Sequence, residues 1–366
     1  MTGADRLPTA RAAFGLAMLA WLPPALLAVA QSVLDKDYSG WGYFTDWMVY
    51  TRYLVAVWVM VATERYADGR LILLARHFRE AQILSDADQP AFSSALAVAD
   101  RRSSSTVAEG LILALVLVGS GLSTSIVVDL TGANWEGRAV EGAIVLSWAG
   151  EAARLLSTPL FLFLVFRWIW RFGVWTALLH NISRLPLQLM PLHPDRSGGL
   201  GFLTIYPIII NGFIFALSAV IASAMVKDIG LEHHSAPTVW LALAVWVGLC
   251  VMLVVGPLLV FAPQLYQMRE KALVEYGRLA SRHYLAFHRK WFGSEKGGEE
   301  LLGSNDPSSA ADLNAIVETV QRLRFVPLDL TSTLQLLLAA GLPLVAVVLT
   351  QVPVASLVKW IVNTIV

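Results

Sequence analysis

Long apolar segments recur along this chain and alternate with polar segments that are rich in arginine. A segment of about 20 apolar residues is long enough to cross a bilayer as a helix. The pattern predicts an all-α membrane protein with about seven transmembrane helices, at about 12–30, 48–63, 107–128, 143–168, 203–226, 238–262 and 330–350. The segment 48–63 is the weakest of these, because it is short and carries Arg52. The stretch 354–366 is too short to span and predicts an interfacial C-terminal helix.

Basic residues are distributed unevenly between the apolar segments. The N-terminal segment and the segments 64–105, 169–202 and 263–329 hold most of the Lys and Arg, whereas each of the four opposite segments holds one. Cytoplasmic loops of membrane proteins are enriched in Lys and Arg. We therefore expect the N-terminus in the cytoplasm and the C-terminus outside.

The polar segments on the predicted cytoplasmic side are themselves patterned. Segments 64–105 and 263–329 carry apolar residues at helical spacing, which predicts a cytoplasmic helical layer formed by long extensions of the spans. The stretch 293–310 is rich in Gly and Ser and predicts a flexible loop. Because no internal repeat is found, we treat residues 1–366 as a single polytopic membrane domain.

Composition narrows the range of functions. Of 366 residues, 56% are hydrophobic and 15% are charged, against about 25% charged in typical soluble domains. The formal net charge is zero, which gives no basis for nucleic-acid binding. Cys250 is the only cysteine, so an intrachain disulfide and a cysteine-based metal site are excluded. His77 and Glu80 share a helical face, but zinc needs three or four converging ligands, so we expect neither a metal nor a cofactor.

The first candidate site is the turn LHPDRSGGLGFL at 192–203, directly before the fifth predicted span. Its Asp or Ser is placed to cap that helix, and its glycines allow a neighbouring helix to pack closely. Backbone N–H groups at a helix N-terminus also attract anions. The sequence leaves two alternatives open, a structural turn and a site for an anion or an anionic lipid headgroup. The residues concerned are His193, Asp195, Arg196, Ser197, Gly198 and Gly199.

The stretch HPDRSGGLGFL, together with TRYLVAVWVMVATERYADGRL and AWLPPALLAVAQ, resembles a family of bacterial polytopic inner-membrane proteins. The resemblance extends over most of the chain, and its most specific part is HPDRSGGLGFL. It implies a multi-pass protein of the bacterial inner (cytoplasmic) membrane. It implies no particular activity.

The second candidate site consists of charged residues inside or beside the apolar spans: Arg52, Asp129, Glu151 and Arg154. Glu151 and Arg154 are three residues apart, so they share a helix face and are able to pair. Arg52 and Asp129 are predicted to lie towards the same outer side. Because charges inside a membrane are costly, they usually face protein or water. The sequence leaves open whether these residues fix helix packing or line a permeation pathway.

Three classes of function are compatible with these patterns. Intramembrane charges, long cytoplasmic helices and the lack of a catalytic motif favour a homo-oligomeric channel or permeation-pathway protein for a small ion or polar solute. One alternative is a membrane-embedded enzyme or a lipid- or phosphate-binding protein that uses residues 193–201. The other is a membrane scaffold or sensor. Enzymatic activity is the less favoured expectation, and the lipid bilayer is the expected environment.

Overall fold

The computed structural model describes residues 9–35, 38–122, 135–140, 143–230, 236–293 and 304–351. Within these ranges the chain is helical apart from turns and one short β-hairpin. The helices that are long and apolar enough to cross a membrane are Ala10–Leu34, Asp86–Ser120, Trp148–Ile182, Gly201–Lys227 and Thr238–Phe292. These five helices confirm the predicted helical class and are consistent with a membrane protein. The expected spans 48–63 and 330–350 are not among them.

The α-helices are α1 (Thr9–Leu34), α2 (Trp41–Thr45), α3 (Trp47–Val49), α4 (Val57–Glu80), α5 (Gln89–Ser103), α6 (Thr106–Leu122), α7 (Trp148–Ala152), α8 (Thr158–Ile182), α9 (Ile205–Gly230), α10 (Ala236–Leu258), α11 (Ala262–Phe292), α12 (Asp306–Gln321), α13 (Leu330–Gly341) and α14 (Val345–Gln351). Two π-helical segments, Tyr50–Ala56 and Ala153–Ser157, lead into α4 and α8. Short 3-10 segments at Asp86–Asp88, Gly201–Thr204 and Leu259–Phe261 precede α5, α9 and α11.

The weakest predicted span lies in one continuous helical run formed by α3, the first π-helical segment and α4. Asp46 begins this run, because its Oδ1 accepts a hydrogen bond from the backbone N–H of Met48 (2.9 Å). The run ends at Ala81, beyond which Gln82 adopts a left-handed backbone (φ 53°). The helix therefore continues well past residue 63, in line with the expected helical extension.

The predicted start of the fourth span at residue 143 is wrong. Ala143–Leu146 is a β-strand (β2) that pairs antiparallel with Gly137–Val140 (β1), with Gly137 opposite Leu146. The helix begins only at Trp148, where Ser147 Oγ accepts from the backbone N–H of Gly150 (2.9 Å). A short apolar run such as AIVL fits a strand as well as a helix, so periodicity does not distinguish the two.

Polar contacts define two ends of the bundle. At the hairpin end, Asp46 Oδ2 accepts from Lys227 Nζ (2.9 Å) and from the indole N–H of Trp135 (3.0 Å), which ties α3, α9 and the hairpin together. At the turn end, the backbone N–H of Gln188 donates to the carbonyl of Ile83 (2.8 Å), which joins the chain after α8 to the chain after α4. The turn end holds the 192–203 sequence.

The main hydrophobic core fills the space between α1, α4, α8 and α9. Its largest fully buried side chains include Tyr53, Phe78, Tyr206 and Phe261. Apolar side chains on the outer faces of α6, α10 and α13 are exposed instead, for example Leu111, at 67%. Exposed apolar faces of this extent suit contact with lipid hydrocarbon.

The run from α10 into α11 forms a single apolar-to-polar helix of 55 residues, Thr238–Phe292. At 1.5 Å per residue it is about 80 Å long, well over the roughly 30 Å of a hydrocarbon core. Its polar half packs against α12 through Ala272, Val320 and Leu323. This observed helix agrees with the predicted helical extension.

Two further predictions about loops are affected by the structure. The loop expected at 293–310 is too long, because α12 begins at Asp306, which is followed by a proline at the first turn. Residues 294–303 lie outside the described part of the chain, and so does the interfacial helix expected at 354–366. The helix of the last predicted span is interrupted between α13 and α14, around Pro343.

Candidate functional site

The turn between α8 and α9 is organised around the carboxylate of Asp195. Its Oδ1 accepts the backbone N–H groups of Ser197 (2.8 Å) and Gly199 (3.2 Å), and its Oδ2 accepts that of Gly201 (2.6 Å). Gly201 opens the 3-10 turn that leads into α9. Asp195 therefore caps this helix start, as the structural alternative for the turn predicts.

The same N–H groups are the ones on which the anion-site alternative depends. They are taken by a carboxylate of the chain itself, so an external phosphate at this position would have to displace Asp195. Arg196 is exposed, and its backbone carbonyl accepts from the N–H of Arg324 (2.8 Å), which links the turn to the segment after α12. Within the described residues the Arg196 side chain forms no ion pair.

Left-handed backbone conformations converge on this turn. All residues with positive φ in the described part of the chain lie here: Gln82 (53°), Arg196 (56°), Gly198 (66°) and Gly199 (99°). A left-handed non-glycine residue costs free energy and persists only where its surroundings impose it, and such residues are concentrated at functional sites. Two of the four are glycines, which adopt this conformation readily, so the strained positions are Gln82 and Arg196.

Close packing holds the glycines in place. A Cβ on Gly198 would lie 3.0 Å from the sulfur of Met268 on α11 and 3.2 Å from Cβ of Leu189. A Cβ on Gly201 would lie 2.5 Å from Cβ of Asp195. Gly199 is less crowded, with Ile83 at 3.7 Å, but its φ of 99° disfavours any other residue. Ser197 is buried at 1% exposure.

A cavity of about 250 Å³ lies between the turn and the end of α4. Its lining residues are His77, Ala81, Gln82, Ile83, Gln188, Met190, His193, Gly198 and Gly199. Two of them are histidines, two are glutamines, and none is Asp, Glu, Lys or Arg. The imidazole of His77 packs on the ring of Phe202 at a centroid distance of 4.3 Å, which fixes its position beside the turn.

The second histidine is oriented by the capping carboxylate. His193 Nδ1 lies 2.9 Å from Oδ1 of Asp195 and 3.4 Å from the Asp195 backbone N. The shorter contact is to a carboxylate oxygen, which only accepts a hydrogen bond, so Nδ1 carries the hydrogen and donates it to Oδ1. Nε2 is then the free ring nitrogen. Burial alone would raise the pKa of Asp195, but the hydrogen bonds from Ser197, Gly201, Gly199 and His193 outweigh it, and the pKa lies below its ordinary value.

The charges that the sequence predicts inside the membrane are arranged differently from the polar groups of the turn. Glu151 and Arg154 pair with each other, with Oε2 accepting from Nη2 (2.7 Å) and Nε (3.0 Å). Arg52 lies over the ring of Tyr53 at 6.0 Å, and its Nε is buried without a hydrogen-bond partner in the described part of the chain. Asp129, the fourth member of the predicted cluster, lies outside the described residues.

Sequence reasoning missed an ion-pair network that joins three helices. Glu64 of α4 accepts from Arg167 Nη2 (2.9 Å) and Arg171 Nη1 (2.7 Å) of α8. Arg171 also pairs with Asp68, and Arg167 Nε pairs with Glu109 Oε1 of α6 (3.0 Å). The signal was present, because the acids at 64 and 68 and the arginines at 167 and 171 share a spacing of four residues, which places each pair on one helix face.

The cavity itself was also missed. Its lining comes from residues 77–83 and 188–199, which are separated by more than a hundred positions, and no local pattern brings them together. The left-handed Gln82 could not be foreseen either, since glycine or asparagine usually ends a helix in this way.

Comparison of this chain with protein-family models, curated proteins and solved structures finds no match in any of the three.

Proposed function

We propose that this chain is a membrane protein that binds a small, polar, uncharged solute in the cavity between α4 and the turn. The observation that carries the proposal is the coincidence of the cavity with the left-handed residues of the described chain, three of which line it. The backbone N–H of Gly199 donates to Asp195, and Met268 packs against Gly198, so this wall of the cavity is preorganised.

The lining residues support the class of ligand. A volume of about 250 Å³ is just below the roughly 300–1,000 Å³ of ordinary ligand pockets, which favours a small molecule. Imidazole and carboxamide groups offer both donors and acceptors of hydrogen bonds. Because no lining residue is Asp, Glu, Lys or Arg, charge pairing contributes little, and a neutral solute fits best.

Ligand-induced stabilisation tests this proposal. Purified protein in detergent is heated with neutral compounds (polyols, amides and nucleobases) and with charged ones (carboxylates, phosphates and amines). A ligand at a hundred times its Kd stabilises the folded state by about 2.7 kcal/mol. We expect a neutral compound to raise the Tm and the variant His77→Leu to weaken its binding about tenfold, which corresponds to one lost hydrogen bond.

The matched control is His288→Leu, which makes the same change at an exposed histidine on α11 that does not line the cavity. It should leave the stabilisation unchanged. The proposal is wrong if no compound of either group stabilises the protein, or if both histidine variants weaken the effect equally.

We also propose a seven-span arrangement in the bacterial inner membrane, with the N-terminus in the cytoplasm. The direction of the helices supports it. Residues 9–34, 106–122, 205–230 and 330–351 run from the turn end to the hairpin end, and residues 47–80, 158–182 and 236–261 run back. Contacts at both ends bear this out: Ser332 Oγ donates to the carbonyl of Thr204 (2.8 Å) at the turn end, and Trp148 N–H to Gln31 Oε1 (2.8 Å) at the hairpin end. Reporter fusions within 294–303 and after residue 366 should lie on opposite sides.

A homo-oligomeric permeation pathway is the second candidate function, and the two π-helical segments favour it. Arg52 lies in the first segment and Arg154 in the second, and π-helical turns are frequent at functional sites. The first segment is linked to the residue directly after the second, because the Tyr53 hydroxyl meets Thr158 Oγ1 at the start of α8 (2.9 Å). In proteoliposomes, Arg52→Gln should alter a K⁺ or Cl⁻ flux that exceeds that of empty vesicles. An absence of flux in the wild-type protein would remove this candidate.

A further inference from the structure

We infer that the cleft between the end of α5, the start of α6 and α8 binds the headgroup of an anionic phospholipid. The cleft has a volume of about 430 Å³ and is separate from the turn cavity, with which it shares no lining residue. Its polar lining residues are Arg101, Arg102 and Ser105, and its apolar ones include Val107, Leu111 and Trp170.

The charges in the cleft favour an anion. Both arginines are exposed, and neither forms an ion pair within the described part of the chain. No Asp or Glu lines the cleft. The nearest acid on α6, Glu109, is held by Arg167 Nε (3.0 Å). Two adjacent guanidinium groups without a carboxylate partner provide the fork-shaped donors that phosphate groups prefer.

The walls of the cleft are fixed by a contact between helices. The indole N–H of Trp170 on α8 donates to the backbone carbonyl of Arg102 (3.0 Å), which holds the end of α5 against α8. Ser105 Oγ accepts from the N–H of Ala108 and so begins α6 directly at the cleft. Tryptophan is enriched at the headgroup level of membranes, which agrees with a cleft at the bilayer surface.

The apolar surface that leads away from the cleft distinguishes a lipid from free phosphate. Val107 (71% exposed), Leu111 (67%), Leu115 (62%) and Val118 (61%) follow one another at intervals of three or four residues. They therefore form one exposed stripe along α6, which starts in the cleft and runs into the predicted span. This arrangement holds the headgroup at the arginines and lays an acyl chain along the stripe.

Native mass spectrometry of the full-length protein in detergent tests this site. The probes are dioleoylphosphatidylglycerol, dioleoylphosphatidylcholine and glycerol 3-phosphate. We expect the wild-type protein to retain phosphatidylglycerol over phosphatidylcholine, and the double variant Arg101→Gln/Arg102→Gln to bind phosphatidylglycerol about tenfold more weakly. The matched control, Arg278→Gln/Arg282→Gln, removes the same charge from the exposed face of α11 and should change binding less than twofold.

A second variant tests the acyl-chain track and does not depend on the arginines. Leu111→Asn should weaken phosphatidylglycerol several-fold and leave any binding of glycerol 3-phosphate unchanged. Equal losses in the two arginine double variants would show non-specific surface attraction and overturn the assignment. Binding of glycerol 3-phosphate as tight as that of the lipid would show a free-phosphate site instead. An unchanged lipid affinity in the Arg101→Gln/Arg102→Gln variant would exclude the cleft.

Discussion

Replacement of Asp195 by asparagine tests whether its carboxylate organises the turn. In the native protein, one oxygen accepts the N–H groups of Ser197 and Gly199 and the other accepts that of Gly201. Asparagine keeps one oxygen and presents an NH₂ group in place of the other. The change therefore leaves at least one backbone N–H facing a donor, and the side chain is only 17% exposed.

The size of the effect follows from these contacts. A buried donor left without a partner costs about 1–3 kcal/mol, and hydrogen bonds to a charged acceptor lie at the upper end of that range. One kcal/mol shifts the Tm of a domain of 150–250 residues by about 2–4 °C, and less in a longer chain. We expect Asp195→Asn to lower the Tm by a few degrees, measured by tryptophan fluorescence in one detergent at a fixed heating rate.

The pH dependence gives a second readout. Because the pKa of Asp195 is lowered in the folded protein, its ionised form stabilises the fold at all pH values above the ordinary value of 3.8. This stabilisation is lost as the pH falls below 3.8 and through the lowered value. The difference in Tm between the native protein and Asp195→Asn should therefore be constant from pH 7 to pH 5 and shrink only below about pH 4.

The control is Asp312→Asn, which alters an exposed carboxylate on α12 and should leave the Tm within about 1 °C, as surface substitutions usually do. An Asp195→Asn protein with the native Tm at pH 7 would refute the reasoning. So would a difference that is the same at pH 7 and at pH 3.5, because it would show that the charge of Asp195 plays no part.

Two other substitutions test helix contacts. Glu64→Gln removes the carboxylate that Arg167 and Arg171 share. We expect the free energy of unfolding, measured by thermal denaturation, to fall by about 1–3 kcal/mol. An unchanged Tm would mean that the arginines find other partners. Gly212→Leu places a side chain where α9 meets Thr63 of α4, a position already filled, and should sharply reduce the yield of monodisperse protein in size-exclusion chromatography. Gly248→Leu, on a glycine with open space around it, is the control and should express normally.

The sequence predicted what depends on short-range patterns. Apolar runs of sufficient length became helices, and the helical periodicity of 64–80 and 263–292 became the observed extensions of α4 and α11. The sequence predicted a cap by Asp195 or Ser197, because a cap depends only on residues within the same turn, and the structure assigns it to Asp195. The pairing of Glu151 with Arg154 also follows from local spacing.

Features that apolar periodicity and composition do not reveal could not be predicted in the same way. The strand Ala143–Leu146 is apolar and short, and its pairing with the preceding residues decides its conformation. The start of α12 at Asp306 depends on Pro307 at the first turn, which the Gly- and Ser-rich composition of the preceding residues concealed. The cavity is lined by residues from two distant segments, which meet where the backbone N–H of Gln188 donates to the carbonyl of Ile83.

The geometry separates two roles that the sequence placed together in one turn. The backbone N–H groups that could attract an anion donate to Asp195 instead. These hydrogen bonds make the turn rigid, and the same groups are not free to bind a phosphate. The same carboxylate positions His193 at the neighbouring cavity, so the rigidity serves the proposed solute site. Two adjacent exposed arginines, Arg101 and Arg102, lie elsewhere, beside an apolar stripe, and form no ion pair within the described residues. An anionic lipid and a neutral solute would thus be bound at different places, and a substitution at Asp195 should disturb the second while leaving the first intact.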